Sequence, residues 1–455
     1  MPDTSAPAPT PHAPPDQAAR RRTIALLALP IVAGMVSQNI TNLIDTALMG
    51  FVGATAVAAV GIASFANFMC SAAITGLAAG VQAMAARRKG EGRDAETAIP
   101  LNGGLFLSAV IGLPLSLLLI FLAPQIFQLL SDDPAVREIG VPYLQARMAG
   151  MMGLGMNFAF RGFWNGISRP GIYMRTIIAI HVAQISLSII LVFGYFDLPA
   201  LGALGAGIGT TLSVYIGTLL YTGQGVMLAR KNGFLERLPR LETIKTIFSI
   251  SIPASIQQLA FSAGFTVLFA IIGRIGTNEL AAASVLLNIS QTAFLPGLGL
   301  GLAAASLVGQ ALGRGDPADA KAWGWQVARI GIVVMAIIGL PMVLLPTPIL
   351  GVFLKDAAVI ELARLPLQLA GSTIMIEAVA IIILNALQGA GATKTVAKFG
   401  VGLQWGLMLP IAYVIGPLMG FGLFAVWAWF IFYRFIAAAL FAWVWQYGRW
   451  QNIKL

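Results

Sequence analysis

Among the side chains that could do chemistry, one stretch stands out: SQNITNLIDTALMG, residues 37–50. Asp45 is the only charged residue between Arg22 and Arg87, in a segment otherwise apolar enough for the middle of a membrane helix. Gln38, Asn42 and Asp45 stand at i, i+4 and i+7, which a helix brings to one face. A lone carboxylate placed there can take up and release a proton, or hold a cation. Polar side chains at this spacing can also do no more than tie neighbouring helices together. An ionisable residue at membrane depth costs roughly 2.5–3.5 kcal/mol on insertion scales, which favours a working role for Asp45. Other chemistries lack their residues. The histidines are His12 and His181, and the single cysteine, Cys70, allows no intrachain disulfide. Paired metal-ligand motifs, a Walker loop and a G-x-S-x-G elbow are absent from the sequence. With no nucleophile, base and orienter converging, an enzyme is disfavoured, and no cofactor is expected.

The elements that must carry Asp45 follow from composition. Hydrophobic residues make up 58% of the chain and charged ones 10%, with a mean hydropathy of +0.84, a surface no water-soluble domain of 455 residues could present. Twelve apolar runs are each long enough to cross a hydrocarbon core of about 30 Å, near 24–50, 54–86, 98–124, 136–165, 170–195, 201–229, 244–273, 279–313, 320–346, 358–389, 395–417 and 420–447. An all-α polytopic membrane protein is expected. The net charge of +10 could suggest nucleic acid, but its placement points elsewhere. Arg20–Arg22, Arg87, Arg88, Lys89 and Arg93, Arg169 and Arg175, the cluster from Arg230 to Lys245, Arg314 and Lys321, Lys394 and Lys398, and Arg449 and Lys454 all fall on one side of the alternating loops. The other loops hold Arg137, Arg274 and Lys355 among five acids. The positive-inside rule then puts both termini in the cytoplasm of a cell whose inner (plasma) membrane holds the chain. Nucleic acid drops out as a partner; membrane lipid stays. Residues 1–22, rich in Pro and Ala to position 19, are expected as a disordered cytoplasmic tail, and helix 1 is expected to be retained rather than cleaved as a signal.

The chain repeats itself. LPIVAGMVSQNITNLIDTALMGFVG from Leu29 aligns with IPASIQQLAFSAGFTVLFAIIGRIG from Ile252, Pro30 on Pro253. The same offset pairs Ala59 with Ala282, Asp133 with Asp356, Gln145 with Gln368 and Gly166 with Gly389. Two six-helix lobes follow, 23–230 and 246–447, joined by a cytoplasmic linker at 231–245 and followed by a cytoplasmic tail at 448–455. An even helix count per lobe makes them parallel repeats, related by a pseudo-twofold axis along the membrane normal. Transporters built this way hold substrate between the halves.

Several strings in this framework carry a family resemblance: NLIDTALMGFVG, GALGAG from Gly202, PGLGLGLAAASLVGQALGRGD from Pro296 and LNALQGAGATK from Leu384. In order and placement they resemble the multidrug and toxic compound extrusion (MATE) transporters over roughly residues 23–447. The resemblance implies an exporter that exchanges protons or sodium for amphipathic, often cationic compounds. It places Asp45 at the family's helix-1 coupling aspartate and Pro30, with Pro253 in the second lobe, at the helix bend. The helix-5 Asn and Asp of the DinF-type branch read Gln184 and Ser188 here, and the helix-6 threonine is matched by Thr210 or Thr211. The helix-7 glutamate of the NorM-type branch is replaced by Phe261, whereas its helix-10 aspartate falls on Glu377. One acidic site is kept and one lost, so the branch stays open.

Sodium wants several hard oxygen ligands, and the loss at Phe261 weakens a cation cage. A proton needs only one exchanging carboxylate, so proton coupling is favoured over sodium. Glu377 either couples ions or shapes the cavity. Gln257, Gln258, Asn288 and Gln291 join Gln38 and Asn42 as candidate cavity donors, each also readable as interhelical glue, and His181 reads as packing. The expected function is a monomeric multidrug efflux antiporter. A lipid-linked precursor flippase of the same superfamily is the alternative, disfavoured by twelve helices and few internal Arg or Lys.

Overall fold

The computed structural model describes residues 17–236 and 239–455. Twelve helical crossings account for the two halves. The first half comprises α1 (Gln17–Val52), α2 (Ala54–Gly90), α3 (Ile99–Leu130), α4 in two pieces (Pro134–Met148 and Met151–Gly166), α5 (Pro170–Phe193) and α6 (Gly202–Leu228). The second comprises α7 (Leu241–Gly273), α8 (Thr277–Gly313), α9 (Pro317–Leu344), α10 (Ala357–Gly389), α11 (Thr393–Leu418) and α12 (Gly422–Tyr447). Among the described residues eleven are long and apolar enough to span a membrane, α11 with π-helical turns at Gln404–Met408 and Val414–Leu418, and α4 is the twelfth.

The internal repeat reappears as repeated local chemistry. Asp133 and Asp356 cap α4 and α10, each accepting at 2.9 Å from the backbone N–H two residues on, Ala135 and Ala358. The amides of Gln145 and Gln368 donate to the carbonyls of Ile120 and Val343, at 3.2 and 3.1 Å. Gly166 lies against the backbone of Gln82, and Gly389 makes the equivalent approach to Ala305. Between halves, α1 packs on α8 and α7 on α2. First helix on the other half's second helix, twice, is what a twofold relation between lobes requires.

Expectation and structure part at four places. Residues 17–22, expected in the tail, are the first turns of α1, because Arg20 pairs with Asp319 at the start of α9 and stacks 4.5 Å over the Trp323 ring. The rest of that tail lies outside the described residues. The linker is shorter than expected, since α7 already begins at Leu241. The C-terminal segment is packed: Trp450 stacks on Trp445 at 3.9 Å, and Arg87 donates to the Ile453 carbonyl at 2.9 Å. The fourth crossing breaks at Ala149–Gly150. Hydroxyls from neighbouring helices take the carbonyls there: Ser116 on Met148, Thr211 on Ala146 and Tyr215 on Ala149, at 2.6–2.7 Å. A helix whose carbonyls are claimed from outside is free to bend.

Pro30 and Pro253 sit inside continuous helices and do not end them. Each removes one N–H and leaves the carbonyl a turn earlier without its usual donor.

The core is distributed unequally. The second half has one cluster running from Leu268 to Trp450, which also takes in Ile24, Leu27 and Ala28 of α1. The first half has two, one around Phe160, Phe163 and Trp164, the other around Leu48, Phe127 and Tyr143. On α5 the first ends at Ile180 and the second resumes at Ile189 and Val192. His181, Gln184 and Ser188 fill the interval.

Candidate ion-coupling site and substrate cavity

Three of the polar residues of α1 expected to act together divide into two groups in this interval. The Gln184 amide donates to Asp45 Oδ2 at 2.6 Å. The other carboxylate oxygen, Oδ1, is buried and has no hydrogen-bond partner among the described residues. Gln38 and Asn42 do not reach Asp45. They bond each other at 3.2 Å, and Gln38 Oε1 meets His181 Nε2 at 3.0 Å. Ser37 Oγ lies 2.8 Å from the other ring nitrogen of His181, so the imidazole joins α1 to α5 through both nitrogens. His181 is therefore packing of a polar kind, a cross-link rather than a filler. Thr210 bonds the Ala206 carbonyl of its own helix, and Ser188 Oγ is buried without a described partner. Of the expected ring around Asp45, Gln184 alone makes contact. Thr211, the other candidate, braces the break in α4.

Glu377 is in a different setting. Its carboxylate pairs with Arg434 of α12 at 2.7 Å, with about a fifth of each side chain exposed. The guanidinium lies 5.0 Å from the Phe430 ring centre and 5.8 Å from that of Phe294. Phe430 packs on Phe265, and Phe265 on Phe261, so the position expected to hold a second carboxylate starts an aromatic row ending on the arginine. Arg434 was not anticipated. The signal was available, since an arginine alone in WFIFYRFIAAAL calls for a partner just as Asp45 does in its own run. Arg147 and Arg161 in α4 are two more basic residues inside the bundle, which corrects the expectation of few.

Between the lobes lies a cavity of about 250 Å³. Gln257 and Gln258 line it as expected, together with Gln82, Arg161, Asn385 and Gln388, and Gln388 donates to Gln257 at 3.3 Å. Asn288 and Gln291 are exposed and outside it; Asn288 bonds only the Ser284 carbonyl a turn back. They lie about 10–15 Å further along α8 than Leu298, the nearest lining residue of that helix.

On the basic-loop side of this cavity the lobes are sealed. Gln82 donates to the Leu302 carbonyl at 2.8 Å and to Ser306 at 3.0 Å; Ser306 donates to the Asn165 carbonyl, and Gln310 to Gly166 and Ser168, all at 2.8 Å. Gly90 meets the Gln310 backbone and Gly313 that of Arg87, so closely that neither position has room for a Cβ. Every described cross-lobe hydrogen bond uses the half of the helices nearest the basic loops. The VGQALGRGD string is thus half of an interlobe seal.

Comparison with known proteins agrees with this architecture. The MatE family pattern matches residues 30–190 and again 253–414, the two matches starting on Pro30 and Pro253. The chain is 27% identical over 400 residues to a "Probable multidrug resistance protein NorM" of Mannheimia succiniciproducens, covering 87% of this chain and 86% of that one. It is 28% identical over 426 residues to a protein of the same description from Bradyrhizobium diazoefficiens, covering 91% and 90%. Among solved structures, one described as an outward-facing conformation of a multidrug resistance MATE family transporter superposes with a TM-score of 0.88 at 20% identity, over 96% of this chain and 97% of that one.

Proposed function

The chain belongs to the MATE family of transporters, and on that premise we propose that it is a secondary multidrug efflux antiporter, exchanging protons for amphipathic, often cationic compounds by alternating access. It works as a monomer in the inner membrane with both termini cytoplasmic, so the sealed side faces the cytoplasm. The observation that supports proton exchange is the Asp45 environment: one oxygen held by a neutral amide, the other without a described partner. Asp45 makes no direct ion pair among the described residues, Arg147 of α4 acting on it only through space, so a proton can neutralise it without breaking a salt bridge. Gln184 stabilises the charged form by donating to it, and Oδ1 takes the proton. Deprotonated, Asp45 favours the state that accepts cationic substrate; protonated, the one that releases it. A gap of about 1.4 kcal/mol in proton affinity between the two states gives one tenfold bias.

The test is efflux of a panel of cationic dyes from proteoliposomes under two separate manipulations. Collapsing the pH gradient stops efflux, and replacing sodium by potassium leaves it unchanged. Efflux driven by sodium at zero pH gradient would assign the coupling to sodium instead.

A further inference from the structure

Away from the interlobe cavity, a groove of about 940 Å³ opens between the start of α1 and the first half of α9, on the lipid-facing side of the bundle. Arg20, Arg21, Trp325, Gln326 and Arg329 line its upper part, and Ile330, Val333 and Val334 its lower wall. The charges in it are unbalanced. Arg20 is paired with Asp319, but among the described residues Arg21 and Arg329 have no acidic partner, and both are exposed. Arg329 is twelve residues into α9, about 18 Å along its axis, in a stretch otherwise apolar. Below it, at one-turn steps on the same face, Val333, Ile337, Leu340 and Leu344 are each more than half exposed. On α1 the residues a turn or two below Arg20 and Arg21, Ile24 and Ala28, are buried in the bundle, so the exposed apolar wall belongs to α9. Two arginines thus stand at the head of one greasy stripe.

We propose that this groove is a binding site for one anionic diacyl phospholipid of the leaflet on the basic-loop side. Its phosphate sits between Arg21 and Arg329, with the Gln326 amide and the Trp325 ring at headgroup level, and its acyl chains run down the α9 face of Ile330, Val333 and Ile337. The reason is charge as well as shape. An arginine at that depth reaches to the interface and calls for an anion there, and among the described residues no side chain supplies one. Basic pockets between helices at this level take anionic headgroups, at roughly 1 kcal/mol per arginine. Because α1 belongs to one lobe and α9 to the other, a lipid so held touches both beside the Arg20–Asp319 bridge.

Native mass spectrometry of the full-length protein, released from detergent with equal phosphatidylglycerol and phosphatidylcholine, reads the site directly. The wild type retains phosphatidylglycerol in preference. Arg21→Gln and Arg329→Gln each weaken that retention about fivefold and together about thirtyfold, whereas Arg329→Lys, which keeps the charge, retains it. Val333→Trp, which fills the acyl wall and leaves both arginines, also loses it. Equal retention of phosphatidylcholine, unchanged retention in the double variant, or displacement of the lipid by inorganic phosphate alone would each overturn the proposal, the last by showing a phosphate site with no need of chains.

Discussion

Asp45 in the first lobe and Glu377 in the second are half-buried carboxylates within membrane-spanning helices, and the two are partnered in opposite ways. Asp45 in the first lobe is held by a neutral amide on a neighbouring helix. Glu377 in the second is held by a guanidinium that itself rests on aromatic faces. An amide tolerates either protonation state of its partner, because it can donate to the carboxylate or accept from the acid. A guanidinium tolerates only the charged one, since protonating the acid leaves a cation buried without its counterion. The same residue class is therefore suited to exchange in one lobe and to a fixed charge pair in the other. The position of each within the repeat differs too, Asp45 on the first helix of its half and Glu377 on the fourth, so the asymmetry lies in the sequence and not in a distortion of the fold.

The contrast can be broken most sharply by Asp45→Asn, which fixes the neutral form. It should insert and fold normally yet lose proton-driven dye efflux by at least about a hundredfold in proteoliposomes, since a two-state device without a differential ligand shifts nothing. An Asn variant that pumps at near wild-type rate would reduce Asp45 to interhelical glue. Arg434→Met attacks the other pair. It strands Glu377 and should cost about 3 kcal/mol, read as a lower apparent Tm, while Glu377→Met added to it recovers most of the loss. An Arg434→Met protein as stable as wild type would show that the pair is solvated and carries no such constraint. Gln184→Leu sharpens the comparison from the first lobe. Losing one hydrogen bond to a charged acceptor, worth about 1.5–3 kcal/mol, should slow efflux about tenfold or more while leaving it proton-dependent. The smallest effect is expected from Asn288→Ala, outside the cavity, with efflux rates within about twofold of wild type across a dye panel.

Much of this arrangement was legible in the sequence, and the omissions share a cause. Hydropathy locates all twelve crossings because lipid permits little else, and the Pro30–Pro253 offset carries through to matching caps and matching glutamine bonds. The Asp45–Gln184 contact was also foreseeable, as two polar residues in separate apolar runs have few places to go. The break in α4 was not, because its cause lies in Ser116, Thr211 and Tyr215 on other helices. Arg434 escaped for a similar reason: its partner is far away in the chain, and a lone arginine was overlooked where a lone aspartate was not. Gln38 and Asn42 share a face with Asp45, as their spacing says, but helical spacing fixes only direction. Depth along the helix sends Gln38 to His181 and leaves Asn42 bonded to Gln38 instead.

The division of the first lobe's core deserves a mechanical reading. Two apolar blocks meet across the seam of His181, Gln184 and Ser188, and α4 changes from one block to the other close to its break. Close-packed apolar matter resists shear, whereas a layer of single hydrogen bonds can exchange partners at little cost. The first lobe is therefore jointed where Asp45 lies, whereas the apolar cluster of the second is continuous. Amide hydrogen exchange should show the seam as a band of faster exchange on α5 between Ile180 and Ile189. A machine with a joint in one arm moves chiefly by bending there, so under the proposed coupling a proton taken up by Asp45 acts at the joint itself.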